Sequence, residues 1–431
     1  MIPEPSIEEL PGDRLRIRVD GREIIVDALC PHRLGRLSHG HLDARNLRLT
    51  CPLHRTTFDL TTGRPVTGPA TRPLTIHRSG VPGREYRPEQ VWLPASERLL
   101  EWDAGFHELL LGDVLRMTAF RAAVLDTVRP GDTVLDLGTG TGVLARWALE
   151  AGAATVHGLE RDERVLAEAT RRLAAAGFGA DRFVPVPGTS FDVELPRRVD
   201  VVVSEILGNL TDNENCVAIL ADARRRFLAP GGRMMPIRSG THLVPVDAGY
   251  AHHQIGRGAP ADAISRSRFA EILAGTGALG PFDLYYDAIV PWSCHLAVPQ
   301  TAREHDLENA ATAAEYSVAL CFRATRDGTL TGFKGWFAAQ LSPAVGLDIS
   351  GDDIARRTTS DSWKHCFLPI ADPVPVRAGD RISLRFGRTA LTGRDGTGQS
   401  YSWQGTVASR GRTVATFAHG TRPVHRAAGR R

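Results

Sequence analysis

The stretch from Thr133 to Glu163 constrains the fold of this 431-residue chain more than any other part of its sequence. It runs TVLDLGTGTGVLARWALEAGAATVHGLERDE, which predicts a strand, a glycine-rich turn, a helix and a second strand, as in a parallel α/β sheet. Gly138, Gly140 and Gly142 let the backbone turn tightly and approach a ligand, and Glu160 ends the second strand, where an acid accepts hydrogen bonds from ribose hydroxyls. Taken alone, this pattern also fits a dinucleotide-binding site.

The exact residues of the turn favour one cofactor. The text VLDLGTGTG resembles motif I of class I methyltransferases, and the later LAPGGRMMP resembles their closing motif. The resemblance implies S-adenosylmethionine as the cofactor and favours a methyltransferase over a dehydrogenase. Asp136, at the end of the first strand, is then expected either to orient the methionine amino group or to cap the turn.

Two acids follow another apolar run. The text RVDVVV leads into SEILGNLTDNE, so Glu205 and Glu214 lie nine residues apart in a loop after a predicted strand, where open α/β sheets bind ligands. A guanidinium is a poor nucleophile because its pKa lies above about 12 and its lone pairs are delocalised. Two carboxylates that grip it would localise the charge on one nitrogen and leave another able to attack a sulfonium methyl. The alternative is that both acids only cap a helix.

The loop resembles the double-glutamate loop of the protein arginine methyltransferase family, nearest to the branch that makes symmetric dimethylarginine. The resemblance extends over about residues 99 to 410. The text GFHELLLGDVLRM resembles the family's helix ahead of motif I, which implies that His107 and Arg116 serve the cofactor and that Arg116 pairs with its carboxylate. Ser362 and Trp363 stand at the family's substrate-lining loop, where Trp363 is expected either to wall the guanidinium or to be a core residue.

The chain also departs from this family. Ser362 replaces a histidine of the commoner loop, and LLEWDAGF stands where paired tyrosines are expected ahead of His107. Ser190 or Phe191 occupies the adenine-side position, where many members have an acid. The type of methylated product therefore does not follow from the sequence.

A second constellation lies near the N-terminus. Cys30-Pro-His32 is followed, after eighteen residues, by Cys51-Pro-Leu-His54. One zinc ion is an alternative, but Cys-x-His is not the usual zinc-finger spacing. A [2Fe–2S] centre with two thiolates on one iron and two imidazoles on the other needs two such pairs on facing loops. The text from CPHRLGRLSHG to LTCPLHRTTFDLTTG resembles the Rieske family, which implies that all four residues ligate the cluster.

These patterns predict a multidomain chain. We expect a small all-β Rieske domain at 1–82, a linker at 83–98, an α/β Rossmann-like domain that binds S-adenosylmethionine at 99–236, and a substrate domain at 237–431. Short β-rich runs predict an antiparallel last domain, and the family resemblance implies that it is a β-barrel. A helical excursion at 257–280 is a candidate for a dimerisation arm.

Composition excludes several other classes. The net charge is +3 without a concentrated basic patch, which argues against a nucleic-acid partner. No apolar stretch reaches the roughly 18 residues of a membrane span, and the acidic N-terminus does not resemble a signal peptide. The six scattered cysteines argue against a disulfide framework and favour the cytosol. Only Lys334 and Lys364 are lysines among the 52 basic residues, which indicates a GC-rich bacterial genome.

The sequence therefore predicts an S-adenosylmethionine-dependent N-methyltransferase. Its substrate is expected to be a guanidino group, in free arginine, a small metabolite or a peptide. The Rieske domain would be an accessory with a structural, docking or redox-sensing role, and a homodimer and a redox partner are both compatible with it. The alternative is an electron carrier that serves an oxygenase through its Rieske cluster and has a methyltransferase-like body.

Overall fold

The structure is a computed structural model. It describes residues 5–11, 13–32, 34–44, 46–53, 56–67, 70, 72–79, 90–94, 110–256, 278, 280–308, 315–351, 359–360, 362–390 and 399–421.

The N-terminal region is an antiparallel β-structure. Its strands are β1 (Ser6–Leu10), β2 (Arg14–Val19), β3 (Arg22–Asp27), β4 (His41–Asp43), β5 (Arg48–Thr50), β6 (Thr57–Asp59), β7 (Pro65–Thr67) and β8 (Ile76–Ser79). They form two four-stranded sheets, in the orders β1-β2-β3-β8 and β4-β5-β6-β7. The alternating text of β2 buries Leu15, Ile17 and Val19 on one face, as the two-residue period of a strand requires. Cys30 and Cys51 belong to the same small core.

The central region is an α/β unit with a parallel sheet, as predicted. Its elements are α1 (Val114–Thr127), β10 (Thr133–Leu137), α2 (Val143–Glu150), β11 (Thr155–Glu160), α3 (Glu163–Ala175), β12 (Phe183–Pro187), β13 (Val199–Ser204), α4 (Cys216–Phe227) and β14 (Leu228–Met235). The strand order is β12-β11-β10-β13-β14, with parallel neighbours. Every residue of β10 is buried, which explains its nearly continuous apolar text.

The topology of this sheet creates a binding crevice. The chain runs outward from β10 to β11 and β12 and then returns to β13 on the other side of β10. Such a reversal opens a crevice at the carboxyl ends of the strands, where ligands bind. The glycine-rich turn follows β10 and the double-glutamate loop follows β13, so both lie at this edge.

The C-terminal region consists of antiparallel strands. The elements are β15 (Arg238–Val246), α5 (Gly249–Gly256), β16 (Tyr286–Ile289), β17 (Gln300–Asp306), β18 (Tyr316–Arg323), β19 (Gly328–Gln340), β20 (Gly346–Asp348), β21 (His365–Val376), β22 (Arg381–Ala390), β23 (Gln399–Ser409) and β24 (Arg412–Gly420). Short 3₁₀ helices lie at Leu37–His39, Pro281–Asp283 and Trp292–Cys294. One apolar core, which includes Phe120, Leu207, Phe337 and Trp363, joins this region to the α/β unit.

Two features of this region differ from the expectations. The predicted β-barrel is not confirmed, because the described strands form a seven-stranded sheet and a separate four-stranded sheet, β18-β22-β23-β24, without a closing pair. The order of the larger sheet is β17-β15-β19-β21-β16-β9, with β20 beside β19, where β9 is Gln90–Pro94. Part of the predicted linker is therefore an edge strand, paired with β16. Most of the proposed arm at 257–280 lies outside the described residues.

No helix within the described ranges is long and apolar enough to cross a membrane.

Candidate active site

The glycine-rich turn has the backbone conformation that its sequence requires. Gly138, Gly140 and Gly142 have φ values of 75°, 53° and 84°, a left-handed region that other residues rarely adopt. A Cβ atom on Gly142 would also lie 3.2 Å from both Ala169 Cβ and Leu173 Cδ1, so α3 packs directly against the turn. A side chain at Gly142 would require these α3 side chains to shift and would strain the left-handed backbone.

Asp136 lies beneath this turn. Its Oδ2 accepts hydrogen bonds from Thr139 Oγ1 (2.6 Å) and from the backbone N–H of Ala145 (2.9 Å). Its Oδ1 is buried and has no hydrogen-bond partner among the described residues. Burial raises the pKa of Asp136 to about 7, and the charge of Glu160 adds to this effect. One oxygen of Asp136 therefore caps the turn, and the other can accept a hydrogen bond from a further donor.

Glu160 is tied to the backbone around it. Its Oε2 accepts from the N–H of Gly140 (3.1 Å), and its Oε1 accepts from the N–H groups of Arg161 (2.8 Å) and Asp162 (3.0 Å). These bonds fix the carboxylate at the carboxyl end of β11, the position where ribose hydroxyls are bound in such folds.

Ser190 is buried at the next position along the crevice. Its Oγ has no hydrogen-bond partner among the described residues, while its carbonyl accepts a hydrogen bond from the Arg226 guanidinium. Arg226 also donates to the carbonyl of Val193, so it fixes both ends of this loop. Neighbouring Phe191 is exposed.

Arg116, in the first turn of α1, contacts one of the two glutamates and is affected by the charge of the other. The Arg116 guanidinium contacts the carboxylate of Glu205, and its central carbon lies 4.5 Å from the ring centroid of Trp363. Burial lowers the pKa of Arg116 to about 10, although the charges of Asp113 and Glu214 raise it. A single buried guanidinium therefore interacts with both glutamates and with the indole.

Trp363 lies in the core and also contacts Arg116. It is 6% exposed and packs edge-on against Phe337, with ring centroids 5.0 Å apart. Its indole N–H donates to the carbonyl of Leu207 in the double-glutamate loop at 2.8 Å. It is thus a core residue whose face also contacts a guanidinium.

Asp113 is the site residue that sequence reasoning missed. One oxygen caps α1 by accepting from the N–H of Arg116 (3.1 Å). The other accepts from the Ser360 hydroxyl and from the hydroxyl (2.7 Å) and N–H (3.0 Å) of Ser362. Asp113 therefore connects the cofactor-side helix to the loop that carries Trp363. An aspartate directly before a helical run is a known N-cap signal and marked this position in the sequence.

The two cysteine-containing loops of the N-terminal region face each other. Cys30, His32 and Cys51 are all buried. A Cβ atom on Gly35 would lie 3.0 Å from Cys51 Sγ, which shows how closely the first loop approaches the second. Two thiols and an imidazole on facing loops fit the donor set of a Rieske centre.

The remaining predicted residues lie outside the described chain. His54, the fourth predicted ligand, and His107 both belong to this group. Among the described residues alone, no three potential ligands are grouped so that they could hold a metal ion.

Three family models match successive parts of the chain. A Rieske [2Fe-2S] domain matches residues 9–78, a methyltransferase domain matches 134–232, and a PRMT5 oligomerisation domain matches 293–422.

Relatives that match over about three quarters of their own length settle the family. Protein arginine N-methyltransferase PRMT10 of Arabidopsis thaliana is 30% identical over 304 residues, which cover 64% of this chain and 77% of that protein. The chain belongs to the protein arginine methyltransferase family. Arginine N(omega)-methyltransferase of Streptomyces achromogenes subsp. streptozoticus is 29% identical over 302 residues, 67% of this chain and 77% of that protein.

Solved structures of this family share the fold. The Trypanosoma brucei PRMT1 enzyme-prozyme heterotetrameric complex with AdoHcy matches with a TM-score of 0.62 and 20% identity, over 74% of this chain and 99% of that one. Arabidopsis thaliana protein arginine methyltransferase 10 matches with a TM-score of 0.59 and 21% identity, over 72% and 96%.

Proposed function

We propose that this chain transfers a methyl group from S-adenosylmethionine to a guanidino nitrogen of arginine. The observation that carries the proposal is the arrangement around Arg116. This buried guanidinium contacts Glu205 and lies on the face of Trp363, and the charge of Glu214 raises its pKa. The same groups suit the guanidinium of a substrate, and they lie beside the crevice predicted for the cofactor.

Five residues are proposed to hold the cofactor. The free oxygen of Asp136 suits its ammonium group, Glu160 its ribose hydroxyls and Arg116 its carboxylate, while Ser190 lies at its adenine side. His107 is assigned to the cofactor by family resemblance alone. When bound, S-adenosylmethionine supplies the methyl group on its sulfonium sulfur and leaves as S-adenosylhomocysteine.

Glu205 and Glu214 prepare the nucleophile. Charge-assisted hydrogen bonds to two guanidinium nitrogens concentrate the positive charge there, so the third nitrogen regains a lone pair. That nitrogen forms the new bond to carbon while the carbon–sulfur bond breaks, and the methylated guanidinium then releases one proton. Trp363 restricts the plane of the guanidinium, and such positioning supplies up to roughly 7–11 kcal/mol in model reactions.

The proposal is tested by two single substitutions. Glu205→Gln and Glu214→Gln keep the side-chain volume but remove the charge, so we expect each to lower kcat by about a hundredfold or more. Calorimetry should show that both variants still bind S-adenosylmethionine. Glu194→Gln, which changes an exposed acid of the same unit, is the matched control. Normal methylation by both glutamate variants would disprove the proposal.

The substrate is proposed to be free arginine, another small guanidino compound or a peptidyl arginine. The Streptomyces relative is named for arginine and the Arabidopsis relative for protein arginine. Incubation with labelled methyl donor and, separately, L-arginine, a peptide panel and a cell lysate distinguishes these classes. A label that appears only in small molecules would assign the chain to the first two classes.

The Rieske region is proposed to hold a [2Fe–2S] cluster through Cys30, His32, Cys51 and His54. Methyl transfer is redox-neutral, so the cluster is assigned a structural, docking or sensing role. Purified protein should show the absorption and electron paramagnetic resonance of a Rieske centre, and Cys30→Ser should abolish both. If Cys30→Ser methylates normally, the role is not catalytic; if reduction of the cluster changes the methylation rate, it is a sensor. If no guanidino compound is methylated, the alternative applies: the chain is an electron carrier without methyltransferase activity.

A further inference from the structure

A buried polar cluster lies behind the double-glutamate loop. Asp212, two residues before Glu214, is fully buried. Its Oδ1 accepts a hydrogen bond from Tyr401 Oη at 2.6 Å, and its Oδ2 lies 3.4 Å from His305 Nε2 and 3.6 Å from Arg388 Nε. We call Asp212, His305, Arg388 and Tyr401 the Asp212 cluster. Its members come from the loop and from strands β17, β22 and β23.

Arg388 of the cluster and the neighbouring Gln399 bind residues on both sides of Glu214. Arg388 Nη2 donates to the carbonyl of Asp212 and to Oδ1 of Asn215, both at 3.2 Å. The amide of Gln399 donates to the carbonyl of Asn213. Every residue adjacent to Glu214 is thus tied to the C-terminal strands, and the charge of Glu214 acts on Arg116.

The cluster depends on the negative charge of Asp212 and the positive charge of Arg388. A buried carboxylate is strongly unfavourable unless it is paired and hydrogen-bonded. Tyr401 donates a hydrogen bond to one oxygen of Asp212, and Arg388 places a positive charge 3.6 Å from the other. Burial raises the pKa of Tyr401 well above its usual value, and the charge of Asp212 raises it further, so the phenol remains a donor. Burial alone would lower the pKa of Arg388, but Tyr401 and Asp212 raise it overall.

Local backbone strain shows why the loop needs such support. Thr211 and Asn215, on either side of the segment, have φ values of 65° and 63°. Asparagine tolerates this region, but a β-branched residue such as Thr211 is strained there and keeps the conformation only where the surroundings hold it. Thr211 Oγ1 is paired with Ser239 Oγ at 3.0 Å, Thr241 Oγ1 donates to the carbonyl of Leu210 at 2.8 Å, and Arg388 of the Asp212 cluster holds Asp212 and Asn215.

We propose that the Asp212 cluster is a positioning device by which the C-terminal strands set the orientation of Glu214 toward the substrate guanidinium. This rests on the proposed function of Glu214. His305, Arg388 and Tyr401 all lie within 293–422, the segment that matches the PRMT5 oligomerisation domain. The geometry of one catalytic carboxylate therefore depends on a region remote in sequence from the cofactor site.

Tyr401→Phe is the mildest test, because it removes only the hydroxyl that binds Asp212. We expect kcat with L-arginine or an arginine peptide to fall about tenfold to a hundredfold, the range typical of a misplaced catalytic group, with less than about a twofold change in S-adenosylmethionine affinity. Hydrogen exchange in residues 207–216 should rise while exchange in β10 and β11 stays unchanged. Tyr286→Phe is the matched control, since it also removes a buried hydroxyl, which donates to the Pro281 carbonyl at 2.5 Å.

Arg388→Lys and Arg388→Gln form a second pair. Lysine keeps the charge beside Asp212 but has no guanidinium to hold both Asp212 and Asn215, so we expect it to recover part of the activity that glutamine loses. The proposal is overturned if Tyr401→Phe and Arg388→Gln leave loop exchange unchanged. It is also overturned if they weaken S-adenosylmethionine binding as much as they lower kcat, since that indicates general destabilisation. If the wild-type chain methylates neither probe, the proposed function fails while the exchange measurement still tests the positioning.

Discussion

Asp136 has an unusual protonation state for an aspartate in a binding crevice. Its pKa is raised to about 7 because burial disfavours the anion, and one of its oxygens has no hydrogen-bond partner among the described residues. Near neutral pH the carboxyl group is therefore divided between its neutral and ionised forms. Only the ionised form attracts an ammonium group strongly.

We therefore expect the affinity for S-adenosylmethionine to depend on pH. Ionisation of Asp136 as the pH rises through about 7 should strengthen binding. Above about pH 8 the α-amino group of the ligand loses its proton, which weakens binding again. Calorimetric titration from pH 6 to 9 checks this profile, and Asp136→Asn should bind more weakly and lose the rise near pH 7. An equal wild-type affinity at pH 6 and 7.5 would contradict the assignment of Asp136 to the ammonium group.

Gly208 is a second residue whose role can be tested, and its role is steric. A Cβ atom at this position would lie 2.1 Å from Asn213 Oδ1, and Asn213 binds both the N–H of Leu210 and the side chain of Asn209. Gly208→Ala must displace Asn213, so we expect a loss of about 1–3 kcal/mol in the free energy of unfolding and a large loss of methylation. Gly249→Ala meets no atom within 4 Å and is the control in thermal unfolding. If both variants unfold at the wild-type temperature, the packing of Asn213 against Gly208 is not a constraint.

At the scale of elements, buried hydrogen bonds from strands β19 and β21 fix the chain next to the loop that carries Ser362 and Trp363. Lys334 lies fully buried on β19 and donates to the carbonyls of Val290 (2.9 Å) and Ser350 (2.7 Å). His365, where β21 begins, accepts from the N–H of Val290 at 3.2 Å and bonds to the carbonyl of Ile349 at 3.0 Å. This pattern requires a neutral imidazole. Burial lowers the pKa of His365 well below its usual value, and the charge of Lys334 lowers it further.

His365 should make the protein less stable in acid. The unfolded chain takes up a proton on this histidine below about pH 6.5, while the folded chain resists protonation to lower pH. The contribution to stability is therefore present at neutral pH and is lost as the pH falls from about 6.5 towards the folded pKa. Denaturant titrations at pH 7.5 and 5 should show a smaller difference in His365→Asn than in the wild type. The exposed His253→Asn is the control, and an unchanged difference in His365→Asn would refute the argument.

The sequence predicted those parts of the site that are local in the chain. Gly138 to Glu160 forms one strand-turn-helix-strand unit, and its pattern determines its fold. Contacts between distant segments have no such signal. Asp113 and Ser362 are separated by 249 residues, and Lys334 lies in an apolar strand where a charge normally indicates an exposed face. The pairing of β9 with β16 also joins distant segments and could not be predicted from the sequence. The Pro and Gly content around 81–94 favours a linker there instead of a strand.

At the scale of the whole molecule, two contacts among the described residues join segments ahead of residue 95 to the rest of the chain. The Arg64 guanidinium lies 3.5 Å from the ring centroid of Tyr250, at the beginning of α5. Strand β9 pairs with β16 at the edge of the seven-stranded sheet. The first contact belongs to the Rieske fold itself, whereas the second belongs to the body.

Two truncations separate these contributions. Removal of residues 1–80 deletes the Rieske fold but keeps β9, so we expect S-adenosylmethionine binding to survive. Removal of residues 1–95 also deletes β9 and exposes the edge of β16. We expect its melting temperature to lie about 5 °C below that of the shorter truncation, as for a loss of one to two kcal/mol in a domain of this size. Coincident melting curves would show that β9 contributes nothing to the body.

The pairing of β9 with β16 also constrains the order in which the molecule is built. Residues near Val91 meet Ala288, so nearly two hundred residues must leave the ribosome before this edge of the sheet closes. The first eighty residues have their own core and are synthesised first, as expected for domains that fold as units during translation. Such a distant pairing closes a long loop and forms slowly. The N-terminal domain can therefore finish folding while β9, directly behind it in the chain, still lacks its partner strand β16.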